Sequence, residues 1–171
     1  VHQEAAQAAT EACRFVLQDN FYNQKRSAVW DNLLMEGTGG VEVNVEPKGK
    51  DFKIVMNHIP WDRIIYDPHS RRKDFSDAKY LGQVIWLDFD DAKLLYPDSV
   101  DILETMQSGA NTYDDKPMWI DGRKRCKIVE MYWYEGKEVY FARFTRGGFI
   151  KAKQLSPFKN EEGETEWPYE F

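Results

Sequence analysis

Between His2 and Glu36 the chain carries neither proline nor glycine. Ala5, Ala8, Ala9, Ala12, Phe15 and Val16, then Ala28, Val29, Leu33 and Leu34, recur at the three- and four-residue steps that gather apolar side chains on one helix face. At ~1.5 Å per residue such a region runs roughly 50 Å, longer than a compact domain of this size is wide. Its stripe must find partners in further chain or in another subunit. The phase slips around Asp19, Asn20 and Asn23, weak helix formers, so a kink or two abutting helices fits as well as one rod. Gly37, Gly39 and Gly40 end the run.

Beyond the glycines the period changes. Val41, Val43 and Val45 alternate with Glu42, Asn44 and Glu46, a turn is expected from Pro47 to Asp51, and "FKIVMNHI" completes a hairpin. "WDRIIYD" and "YLGQVIWL" are further strand candidates. Asp88 is placed to cap a short helix from Phe89 to Tyr96, and Asp98 or Ser99 a second from Val100 to Gln107 that Gly109 closes. After a polar loop to Arg123, "CKIVEMYWY", "EVYFARF" and "FIKAKQL" read as a three-stranded antiparallel meander. The acidic tail "KNEEGETEWPYEF" is expected to be loosely held. The pattern predicts an α+β fold: a helical region over residues 1–37, then a mainly antiparallel, β-rich domain over 38–171 with short helical inserts.

The 171 residues include six Trp, nine Tyr and ten Phe, enough for a sizeable core. No apolar run approaches the roughly 20 residues that span a bilayer, so a soluble chain is expected. The first residue is Val1 and no secretory signal pattern comes after it, which suggests a processed chain or an excised piece. Cys13 and Cys126 are too few for a disulfide framework, which fits a reducing, intracellular setting. A net charge of −6 opposes unaided tight binding to a phosphate backbone, yet suits a wall past which DNA slides.

The stretch "DPHSRRKDFSDAKY", Asp67 to Tyr80, clusters acids with a histidine. A calcium loop of the EF-hand kind needs glycine sixth and glutamate twelfth, and counting from Asp67 gives Arg72 and Ala78. Arg71, Arg72 and Lys73 would also weaken an ion's field, so no metal is expected. The turn chemistry instead has Asp67 and Pro68 opening a turn, Ser70 bonding its own backbone, and Ser76 or Asp77 capping the segment after them. No cofactor is called for.

Two other chemistries compete. Pro97-Asp98 with Glu135-Gly136-Lys137 is similar to a magnesium nuclease signature in which two carboxylates hold the ion and a lysine polarises water. Gly136, however, makes Glu135 and Lys137 a hairpin tip. Arg125, Lys127, Arg143, Arg146, Lys151 and Lys153 among aromatics would suit a single-stranded nucleic-acid binder, against a reading in which Met131, Trp133, Val139 and Phe141 are core. Gly37-Thr38-Gly39-Gly40 comes after a helix, whereas phosphate-cradling loops precede one.

From Ile59 to Asp98, "IPWDRIIYDPHSRRKDFSDAKYLGQVIWLDFDDAKLLYPD" resembles the portal proteins of tailed bacteriophages, of the short-tailed-phage type. The likeness lies in a Trp-containing strand, a "DP-x-S" turn, a "D-x-SDA" segment, a second Trp strand and a short helix ending in "YPD". "LLMEGTGGVEVNVE" upstream and "LSPFKNEEGETEWPYEF" downstream extend it over most of residues 5–171. The resemblance implies a noncatalytic piece of a ring, commonly of twelve subunits, at a capsid vertex of the virion, made in the bacterial host cytoplasm. Double-stranded DNA passes through such a ring, and terminase, capsid and tail proteins are its partners; no membrane is involved. It also implies a scaffold role in the portal wing for Trp61, Asp67, Pro68, Ser70, Asp74, Ser76, Asp77 and Ala78. The family's clip, stem and crown regions are not visible in this stretch.

Overall fold

The computed structural model describes residues 2–73, 75–108 and 119–169. The chain divides into two compact units between Ile64 and Ile65.

The first unit opens with two helices, α1 (His2–Asp19) and α2 (Tyr22–Glu36). They are separate because Phe21 takes a left-handed conformation, φ 50° and ψ 42°, which no α-helix can pass through. The weak helix formers at the phase slip thus mark a true break. Gly37, at φ 79°, ends α2 with its N–H donating to the Leu33 carbonyl at 3.1 Å. An antiparallel hairpin comes next, β1 (Gly40–Lys48) with β2 (Asp51–Ile59). Its turn is shorter than Pro47–Asp51: Gly49, at φ 66°, carries the reversal, and Pro47 stays in the strand opposite Phe52.

An isolated two-stranded hairpin is marginal in water. Here the buried side chain of Asn20 serves in place of a third strand. Its amide donates to the Ile54 carbonyl at 3.0 Å, and its oxygen accepts the Met56 N–H at 2.8 Å. A second amide contact, to Val16 at 2.9 Å, fastens the same group to α1. Lys25 adds a bond to the Met56 carbonyl, and Asn32 meets His58 at 2.7 Å. These ties hold the hairpin to the helices, so the first unit continues past residue 37.

The second unit is built on a five-stranded sheet, in the order β3 (Ile64–Tyr66), β4 (Tyr80–Asp88), β5 (Arg125–Glu135), β6 (Glu138–Thr145) and β7 (Gly148–Leu155). "WDRIIYD" is mostly not strand: Trp61–Arg63 form a 3-10 turn and only three residues pair as β3. The pairs β4–β5, β5–β6 and β6–β7 are all antiparallel, so the architecture is α+β. Helices α3 (Phe89–Leu95) and α4 (Val100–Ser108) lie on one face of the sheet. Asp88 occupies the N-cap position of α3 without a side-chain hydrogen bond. Ser99, in a 3-10 turn before α4, donates its hydroxyl to the Ile150 carbonyl at 3.0 Å instead of capping. Gly109 and most of the polar loop to Arg123 lie outside the described residues.

Register sorts the core. Ile85 lies opposite Ile128 and Leu87 opposite Cys126, and these four meet Phe89, Ala92, Leu103 and Met106 of the helices in one cluster. Further along the same face, Tyr132, Val139 and Phe141 form a second cluster. The chain beyond β7 covers it: Trp167 meets the Tyr134 ring edge-on at 4.8 Å, and Tyr169 meets Tyr132 at 5.7 Å. Thr165 accepts the Val139 N–H at 2.8 Å. The tail is therefore docked rather than loose. Met131 and Trp133, grouped with Val139 and Phe141 by the sequence pattern, are paired with Ala142 and Tyr140 and belong to the opposite face. Among the described residues no helix is long and apolar enough to cross a membrane.

At Gly82, in β4, a Cβ would stand 2.4 Å from the Glu130 carbonyl oxygen and 3.2 Å from the Met131 Cα. Backbone at that distance cannot yield without breaking the ladder. Gly82→Ala is expected to destabilise the second unit by about 1–3 kcal/mol. Gly122→Ala, where nothing lies within 4 Å, should stay within about 0.5 kcal/mol. Thermal melts monitored by circular dichroism compare the two; equal midpoints would contradict the close approach.

Candidate functional site

The segment between β3 and β4 is organised by two aspartates. Asp67 is buried, and its carboxylate bridges the loop's ends: Oδ1 accepts the His69 N–H at 2.9 Å, and Oδ2 accepts the Lys79 N–H at 3.0 Å. Ser70 N–H donates to the Asp67 carbonyl at 3.1 Å, closing the turn through the exposed Pro68. Asp77 reaches backwards rather than capping the residues toward β4. Its Oδ2 accepts the Arg71 N–H at 2.8 Å, while Oδ1 accepts the Ser70 hydroxyl at 2.5 Å and the Arg72 N–H at 3.3 Å. Ser76 accepts from the Arg72 guanidinium at 3.1 Å.

Phe75 adopts φ 50° and is braced by its ring against Tyr66 at 5.5 Å. The next three residues turn back so that Ala78 is buried, its N–H donating to the Phe75 carbonyl at 3.0 Å. Trp61 belongs to a 3-10 turn of the first unit and is 48% exposed, and Asp74 lies outside the described residues.

Donors this close favour the charged carboxylates. Backbone N–H groups of His69 and Lys79 hold Asp67 below its ordinary value. The Ser70 hydroxyl and the Arg71 N–H pull Asp77 from 3.8 down to about 2. The oxygens that a cation would need are already committed to N–H and O–H donors. Among the described residues no group of three or more His, Cys, Asp or Glu side chains is placed to hold a metal ion.

The nuclease signature does not converge. Asp98 sits in the turn whose Ser99 bonds Ile150, level with Glu130 and Arg143 in the sheet. Glu135 is at the end of β5, five residues beyond Glu130, which is about 17 Å along a strand. Its carboxylate is engaged by Lys153 at 2.5 Å and by the Trp133 indole N–H at 2.8 Å. Cations of the meander are likewise engaged: Arg125 pairs with Asp121 at 2.6 Å, Arg143 pairs with Glu130, and Lys127 lies over Trp119.

A family model described as phage P22-like portal protein matches residues 2–168. The chain belongs to that family. No curated protein matches it. The portal match covers both units and includes the aspartate-held loop within one continuous stretch. Sequence reasoning missed Asn20, which ties the first unit together, and the Glu130–Arg143 pair inside the second. Asparagine at a helix phase slip was the available signal for the first; charges of opposite sign within two facing, aromatic-rich strands were the signal for the second.

Asp67→Ala strips the acceptor from both ends of the loop. It should raise the rate of limited proteolysis within residues 69–79 by about tenfold, with the far-ultraviolet spectrum unchanged. Unaltered proteolysis would mean that the loop is held elsewhere. Because the Asp77 carboxyl is depressed on folding, its stabilisation is complete above 3.8 and lost as pH falls through about 2. Amide exchange at Arg71 and Arg72, corrected for intrinsic rates, should lose protection in that window and not above it.

Proposed function

We infer that this chain is a noncatalytic structural piece of a portal ring, the conduit at a capsid vertex for double-stranded DNA during packaging and ejection. The family match over residues 2–168 carries the reading. The open apolar surface of the first unit supports it: Phe15 is 68% exposed, Leu34 68% and Met35 80%. Stripes of this kind want partners, supplied in the intact protein by further chain or by a neighbouring subunit. In this reading residues 1–37 supply the packing helices, and the strands of residues 38–171, the first unit's hairpin included, belong to the portal wing. Trp61, Asp67, Pro68, Ser70, Asp74, Ser76, Asp77 and Ala78 serve as scaffold in that wing.

The ring works in the virion, after synthesis in the host cytoplasm, with terminase, capsid and tail proteins as partners and DNA sliding past without sequence-specific contact. An acidic chain suits that passage because it does not adhere to phosphate. Residues 1–171 alone are expected to scatter light as a species far smaller than a ring, while the full portal chain containing them closes into one. A closed ring from the isolated piece would overturn the assignment of ring contacts to regions outside it.

A further inference from the structure

Two exposed turns of the second unit carry opposite charge and are held by side-chain bonds to their backbones. The first is the loop of Asp67 and Asp77. Asp67 is buried, and the exposed Asp77 spends its oxygens on N–H and O–H donors, while the side chains of Arg71, Arg72 and Lys73 are exposed beside it. The second comes after β7. Asn160 Oδ1 accepts the N–H groups of Glu162 at 3.1 Å and Glu164 at 2.9 Å, and Gly163, at φ 83°, completes the reversal. Glu161, Glu162 and Glu164 are exposed on it.

Both turns are fastened to the same level of the sheet. The Tyr134 N–H donates to the Lys79 carbonyl at 3.1 Å, and the Tyr134 ring packs against Trp167. They nonetheless spring from opposite edge strands, the basic one between β3 and β4, the acidic one after β7. Among the described residues no ion pair joins them. A ring of more than two copies is made by heterologous contacts, in which one patch of a subunit meets a different patch of its neighbour. Hydrogen-bonded turns of opposite sign at one level and from opposite edges meet that requirement. They also cost little ordering entropy when they pair.

We propose that the Arg71–Arg72–Lys73 turn of one copy docks on the Glu161–Glu162–Glu164 turn of the next. This rests on the portal-ring reading and names a contact within it. Complementary charge of this kind sets the register of neighbours and speeds encounter more than it adds affinity.

Charge reversal tests it in the full portal chain. One variant carries Arg71→Glu and Lys73→Glu, sparing the Arg72 bond to Ser76; another carries Glu161→Lys, Glu162→Lys and Glu164→Lys. Each should assemble about tenfold more slowly than wild type at low salt, read by time-resolved light scattering, and the gap should close as salt screens the charges. The chain carrying both reversals should recover most of the wild-type rate, and matching circular dichroism spectra and melts would show that each variant folds. Folded single variants assembling at the wild-type rate, or a combined variant no faster than either, overturns the contact. Normal assembly with impaired DNA packaging in the basic-turn variant also overturns it, because the turn then serves a polyanion. A wild-type chain that forms no ring defeats the portal-ring reading instead, so the two failures are distinct.

Discussion

Glu130 and Arg143 face each other across β5 and β6 in the middle of a sheet face, between the two apolar clusters and with Gln83 opposite Glu130 on β4. Arg143 also lies over the Tyr96 ring, at 5.9 Å, and donates to its hydroxyl at 3.4 Å, so the pair is hydrogen-bonded on more than one side. Removing one partner of a buried pair strands the other and costs about 3–5 kcal/mol, while the intact pair contributes much less than that. Its effect is therefore on register. A slip of one residue would turn Glu130 to the other face and take Ile128 and Tyr132 with it. The helices α3 and α4 could then find no cluster to cover, and neither could the tail.

That single row divides the face into two covered halves. The half with Cys126 and Ile128 is closed by helices from the β4–β5 connection; the half with Tyr132, Val139 and Phe141 is closed by the tail after β7. Burying Leu103, Ile128 and Val139 completely contributes roughly 1.5–3 kcal/mol each, so the second unit holds an ordinary core of its own. Among the described residues the first unit buries no large apolar side chain. None of α2 is buried, and its tie to the hairpin runs through the polar groups of Asn20, Lys25 and Asn32. That unit is joined by hydrogen bonds and leaves Phe15, Leu34 and Met35 open to solvent.

Periodicity exposed most of this. The helical run, its phase slip, the valine hairpin and the meander are local patterns, and each appears at nearly the expected place. What stayed hidden depends on contacts distant in sequence. Asn20 reaches across to Ile54 and Met56, and no local rule marks an asparagine as a substitute strand. Acidic composition in the tail suggested looseness, but Trp167 and Tyr169 find Tyr134 and Tyr132 and anchor it. The faces of Met131 and Val139 could be separated only once the hairpin register was known, because alternation fixes parity within a strand and not between strands. Of the loop, the turn at Asp67 was legible from its composition; the backward reach of Asp77 was not, since its bonds span five to seven residues.

The loop also shows why a cluster of acids beside a histidine is a poor guide to chemistry. A carboxylate can hold a cation, accept a proton or organise backbone, and sequence alone does not choose among these uses. The choice is made by what occupies the oxygens. In Asp67 both are taken by N–H groups at the loop's two ends, and in Asp77 by two N–H groups and a hydroxyl. Each bond favours the ionised form, which drives the carboxyls away from the neutral range where an acid or base catalyst works. The same bonds free Arg71, Arg72 and Lys73 from local pairing with these acids and turn them outward. Committed carboxylates thus leave three exposed cations beside them, and a stretch that looks like an active site is organised as a turn.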